Sequence, residues 1–199
     1  MAKNAYHIGR KAGASILHAP RTAAQLGRPL NVHVTINFWQ LESTADTIFR
    51  DFADLREEWF QRWSGYVPKG ATTARNGTPT YAYVHEATHD LPHTHWLLHI
   101  APTRRDDFEA KLSLWLLRHY RLAALPEGAL HIEDALTPEG LKKYMVKTLD
   151  PHIARLWNIR PEDGGRIAHR RADTSRNIGP SVWRPLKAIY KARKSQQAA

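Results

Sequence analysis

The 199-residue chain contains no cysteine. Disulfide frameworks and thiolate metal sites are excluded, so a bound metal must be held by histidine, carboxylate or backbone oxygen. No apolar run approaches the roughly 20 residues needed to cross a bilayer, which predicts a soluble protein with no membrane partner. Acid is scarce too: 19 Asp and Glu stand against 29 Lys and Arg, a formal net charge of +10. That excess favours a polyanionic partner, nucleic acid first, through release of counterions from phosphates. The first thirty residues hold no acid at all. They read as a basic arm that lies on DNA in preference to an organelle transit peptide. No internal repeat is visible, and the length with 42% hydrophobic content suits one domain plus tails.

What is abundant is histidine. "HEATHDLPHTHWLLHI", residues 85–100, holds five of the chain's twelve. Around it the patterning is regular. "NVHVTINF" (31–38) alternates Val32, Val34, Ile36 and Phe38 and predicts a first strand. "STADTIFRDFADLREEWFQRW" follows with Ser43 and Asp46 at capping-box spacing and apolar residues at helical intervals, predicting a helix of about five turns. Residues 64–79 read as a basic loop, and "TYAYVHE" and "HTHWLLHI" as a hairpin joined by "ATHDLP". A second helix is predicted from Thr103 and Asp106, and a fourth strand from "ALHIEDAL". A third helix opens at Thr137-Pro138 and is expected to end at Asp150-Pro151. Residues 151–199 read as a basic, turn-rich extension with Gly164-Gly165 and a last surface helix.

Two chemistries compete for the cluster. "HEATH" fits the H-E-x-x-H of zinc proteases, which requires a helix so that residues i and i+4 face one ion. The β-prone "TYAYV" before it and Pro92 after it oppose a helix. "HTH" instead requires a strand, where His93 and His95 share one face with Leu97 and His99, and Thr94, Trp96, Leu98 and Ile100 share the other. Hairpin pairing would bring Glu86 to the same ion, leaving coordination positions open. His85, His89 and His99 are read as bystanders.

A strand ending in Glu86, then Pro92-His93-Thr94-His95, then Tyr144-x-x-Lys147 on a helix resembles the HUH endonuclease superfamily, most closely its rolling-circle replication initiators of plasmids, phages and single-stranded DNA viruses. The resemblance covers about residues 31–150, between the 1–30 arm and the 151–199 extension. It implies an α+β fold, a ferredoxin-like or RRM-related antiparallel sheet with helices on one face and the nicking site on the other. It implies Mn2+ or Mg2+ on Glu86, His93 and His95, Tyr144 as nucleophile giving a 5′-phosphotyrosine, and Lys147 assisting. Thr94 departs from the usual apolar middle residue, and its side chain is expected to face away from the metal. Tyr144 follows the histidine pair, as in initiators and single-tyrosine transposases and unlike relaxases. Thr148, where those transposases often carry an amide ligand, favours the initiators. The transposase or relaxase-like nickase and a non-catalytic DNA-binding regulator stay open, with Tyr190 as the alternative nucleophile. Single-stranded DNA or an origin hairpin is the expected partner, with a host helicase, in the cytoplasm of a bacterial host. The residues expected on DNA are Lys69, Arg75, Lys143, Arg170, Arg171, Arg176, Trp183 and Arg184.

Overall fold

The computed structural model describes residues 4–67 and 75–197. In chain order the elements are β1 (Asn4–Ala5), α1 (Arg10–Gln25), β2 (Val32–Ile36), α2 (Ile48–Asp54), α3 (Gln61–Gly65), β3 (Tyr81–Glu86) and β4 (His93–Leu98). They continue with α4 (Arg105–His119), β5 (Leu130–Asp134), α5 (Pro138–Met145), α6 (Pro151–Leu156), β6 (Ile167–Ala168), β7 (Ala172–Thr174) and α7 (Pro180–Gln197). The fold is α+β. Five strands form an antiparallel sheet in the order β5-β2-β4-β3-β7, and β1 pairs with β6 separately.

Alternation along the strands decides the two faces. Val32, Val34, Ile36, Tyr83, Trp96 and Leu98 point to one face and join Phe52, Phe60, Phe108, Leu112 and Leu116 from the helices in the larger core. The predicted five-turn helix is α2 and α3 joined by a π-helical stretch, Leu55–Phe60. Leu55 and Phe60, five residues apart and both buried, share a face because of that wider turn. The helix starts later than Ser43 suggests: Thr47 occupies the cap position, and the Ser43 hydroxyl donates to Asp51 Oδ2 at 2.6 Å instead. α4 likewise begins at Arg105 after a short 3-10 turn, with no side-chain cap from Thr103.

The opposite face was expected to carry the site alone, and it carries helices as well. Ala82, Val84, Leu97 and Ala172 pack there against Ile16, Ala19 and Ala23 of α1 and Met145, Val146 and Leu149 at the end of α5. The segment 10–25 is therefore a packed helix, because a small-residue stripe lets it lie close on the sheet. Gly13 belongs to that stripe: a Cβ there would stand 2.9 Å from Leu149.

The extension 151–199 is integral too. β7 is the fifth strand of the sheet, on β3, and Asp150, expected to end a helix, instead caps the start of α6, accepting from the His152 and Ile153 amides at 3.0 and 3.2 Å. Gly165, at φ +68°, approaches so near that a Cβ would lie 2.1 Å from the Ala87 carbonyl oxygen. Among the described residues no helix is long and apolar enough to cross a membrane.

Candidate metal centre and nucleophile

Glu86 ends β3 directly opposite His93 on β4, with His95 two residues further along the same face. The Glu86 side chain is 1% exposed, and neither of its oxygens has a hydrogen-bond partner. Cations and imidazoles approach it instead: Lys147 Nζ stands 3.2 Å and His93 Nε2 3.6 Å from Oε2. A buried carboxylate is costly unless charge compensates it. Burial by itself pushes the Glu86 carboxyl up, but His93, His95 and Lys147 outweigh it and hold the group below the ordinary carboxylate range.

The two histidines are aimed from behind. His93 Nδ1 lies 2.9 Å from the Leu91 carbonyl and donates its proton there, which turns Nε2 toward Glu86. His95 Nδ1 lies 3.2 Å from the Thr35 hydroxyl, and burial drives its pKa down to about 3, so the ring stays neutral. One ligand atom from each of Glu86, His93 and His95 falls within 4.8 Å of the others. A buried carboxylate beside two imidazoles, each tied down through its far nitrogen, is a donor set that fits a divalent cation and leaves positions open to a substrate oxygen.

Tyr144, on the last turn of α5, sets its hydroxyl 3.4 Å from His95 Nε2 and its ring edge-on to the His95 ring, 5.0 Å between centroids. The phenol is 44% exposed. Lys147 meets it from beyond the helix: α5 stops at Met145, where continuation to Asp150 was expected, and Lys147 sits in the following turn. Its Nζ lies 4.3 Å from the Tyr144 ring centroid and 3.6 Å from Glu162 Oε2. Burial draws the Lys147 ammonium down, but Glu86 and Tyr144 raise it further, so it stays charged.

All five residues expected to carry the chemistry thus converge. Thr94 faces away, as expected, and bonds buried His85 at 2.8 Å. "HEATH" forms no protease motif: His85 packs with Phe52 and Tyr83 on the large-core face, one strand position from Glu86, while His89 is exposed in the loop. His99 bonds the Pro29 carbonyl at 2.8 Å.

Sequence reasoning passed over four contributors. His33 stacks on His95 at 5.4 Å and bonds Glu133 at 2.7 Å, and Thr35 orients His95. Both lie on the polar side of the alternation in "NVHVTINF", so the same periodicity that marked the strand contained the signal. Glu162 carries no such signal.

The residues expected on DNA divide. Arg75, Lys143, Arg170, Arg176 and Arg184 are exposed, Arg170 pairing with Asp173. Arg171 is 2% exposed. Its guanidinium donates to the carbonyls of His85, Gly164 and Ala5 at 3.2, 3.0 and 3.1 Å, and to that of Gly165. It is a buried clasp behind the end of β3, not a phosphate contact. Trp183 is 9% exposed and stacks on His18 of α1 at 4.3 Å, which removes it from the free surface. Lys69 lies outside the described residues. Tyr190 sits on α7 with the Arg21 guanidinium 5.4 Å over its ring.

No family model, no curated protein and no solved structure matches the chain.

Proposed function

We propose that the protein nicks and rejoins single-stranded DNA in the manner of the HUH replication initiators. The observation that carries this reading is the Tyr144 hydroxyl, 3.4 Å from His95 Nε2, beside a three-donor cluster and an ammonium group. Phosphoryl transfer needs a nucleophile in line, neutralised non-bridging oxygens and fixed geometry, and this arrangement offers a group for each. Manganese or magnesium on Glu86, His93 and His95 would supply Lewis-acid neutralisation of a phosphate oxygen.

The chain's own groups do the rest. Tyr144 gives its proton to water at its exposed edge, and its oxygen bonds to phosphorus as the bond to the 3′ oxygen breaks. The departing oxygen takes up a proton and becomes a free 3′-hydroxyl, leaving a 5′-phosphotyrosine. Lys147 lies where negative charge builds on phenolate and phosphate and steadies both. Glu86 and Glu162 hold that ammonium in place, while Thr35 and His33 fix the His95 ring. The link keeps the energy of the phosphodiester, so a second 3′-hydroxyl can reverse the attack and seal the strand. Initiation of rolling-circle replication, with unwinding by a host helicase, is the process this chemistry serves.

The test is a covalent protein–DNA adduct on a denaturing gel, from a diverse single-stranded pool with Mn2+, with and without chelator. Wild type is expected to form it. Tyr144→Phe, which deletes one exposed hydroxyl and leaves the fold intact, is expected to abolish it, as is the chelator. An adduct surviving Tyr144→Phe would place the nucleophile elsewhere, and DNA binding without any adduct would favour a regulator.

A further inference from the structure

A cleft of about 730 Å³ runs between α1 and α7. Its walls carry six cations, Arg10, Lys11, Arg21, Lys142, Arg184 and Lys187, and none of its lining residues is acidic. A smaller hollow shares His18, Arg21, Trp183 and Lys187 with it and extends it to Tyr190. Of the six, Lys142 pairs with Glu139; the other five make no ion pair among the described residues. The cations are near enough together that Lys187, Arg21 and Lys142 add to burial in holding His18 below the ordinary imidazole value. Like charges gathered along one groove repel one another, so the arrangement is at its most stable with an anion in it.

The uncharged part of the lining is aromatic or aliphatic: Ala14, Leu17, Trp157 and Trp183 in the cleft, and Tyr190, 53% exposed, in the adjoining hollow. From Arg10 to Arg21 the α1 wall extends about 17 Å at 1.5 Å per residue. Lys142 and Tyr144 sit two positions apart on α5, about 200° round the helix. The cleft therefore begins across α5 from the nucleophile, about one helix width, 10–12 Å, away.

We propose that this cleft carries the single-stranded DNA flanking the scissile phosphate, with phosphates on the cations and unpaired bases against Trp157 and Tyr190. Regularly spaced anions joined to flat π faces match a cationic groove with aromatic rings in its lining, and a duplex hides those faces in its stack. The proposal deepens the nickase reading and rests on it for the strand's origin at Tyr144.

The experiment measures binding of a fluorescent mixed-sequence single strand, and of the same sequence as a duplex, to the full chain across a salt series in chelator. The triple variant Lys11→Gln/Arg21→Gln/Lys187→Gln changes three exposed helix positions to a good helix former. Each phosphate contact contributes about 0.7 to the slope of log K against log salt on single strands. The variant is expected to flatten that slope by about 2 and to weaken binding about tenfold or more near 0.1 M salt, with Mn2+ binding at Glu86 unchanged as the check on folding. The single variant Arg21→Gln is expected to flatten the slope by about 0.7 and serves if the triple one misfolds. An unchanged slope, or an equal loss on duplex, overturns the proposal. Chelator keeps this readout independent of cleavage, so a wild type that forms no adduct with Mn2+ defeats the nickase reading by a separate result.

Discussion

The hairpin β3–β4 has two faces built to opposite standards. On one, Trp96 meets Phe60 edge-on at 4.8 Å and Phe52 at 5.4 Å, with Phe108 beyond, and every ring is fully buried. On the other, one residue over, Glu86 is as deeply buried with no hydrogen bond to either oxygen, and His95 is held neutral by burial. The first face is mostly packing, with the Trp96 indole nitrogen and His85 Nε2 its unpartnered polar atoms. The second buries a carboxylate against an ammonium and two imidazoles, a concentration of charge that a fold keeps where a site needs it. The difference makes the polar face, where Glu86, His93 and His95 could hold a metal ion, the candidate site.

The widest break of that contrast comes from the apolar face. Trp96→Ala removes the ring at the centre of the aromatic cluster and is expected to cost about 3–5 kcal/mol of stability, read as a lower denaturant midpoint at unchanged slope. Metal binding per folded molecule is expected to persist, since the ligands are held from the other side. Loss of metal affinity in the folded fraction would mean that the two faces are coupled.

The polar face is sharpened by its ligand. Mn2+ in hundredfold excess over its dissociation constant is expected to stabilise wild type by about 2.7 kcal/mol, seen as a rise in melting temperature that chelator reverses. Glu86→Gln, which keeps shape and removes charge, is expected to abolish the rise. A full rise in that variant would place the cation elsewhere.

How much of this the sequence carried depended on whether an element's reason is local. Strands β2 to β5, their helices and the Glu86–His93–His95 grouping follow from alternation and spacing, and those are local. α1 and β7 escaped the sequence reading because neither is: α1 is fixed by small residues lying on a distant sheet face, and β7 is three residues long, docked through Arg171 and the Gly164-Gly165 turn. Arg171 and Trp183 were expected on DNA because residue type does not reveal burial. Lys147 was given the right neighbour by a different route, a turn past the helix end.

The smallest effect tests the polar face without any ligand. In chelator, the His95 pKa is lowered to about 3 from an ordinary 6.5 by burial, so the unfolded chain binds a proton that the folded chain refuses. Stability is then full above pH 6.5 and falls as pH drops toward the folded value, because the state binding more protons gains from acid. At pH 5 the loss from this group is about 2 kcal/mol, 1.4 kcal/mol for each of 1.5 units. Buried His85, also held well below its ordinary value by burial, adds to the same slope from the apolar side. His95→Gln is expected to flatten the pH profile between 5 and 6.5 by its own share and leave that of His85. If the profile of His95→Gln matches wild type, the strain lies on the apolar face with His85, and the contrast between the two faces is drawn in the wrong place.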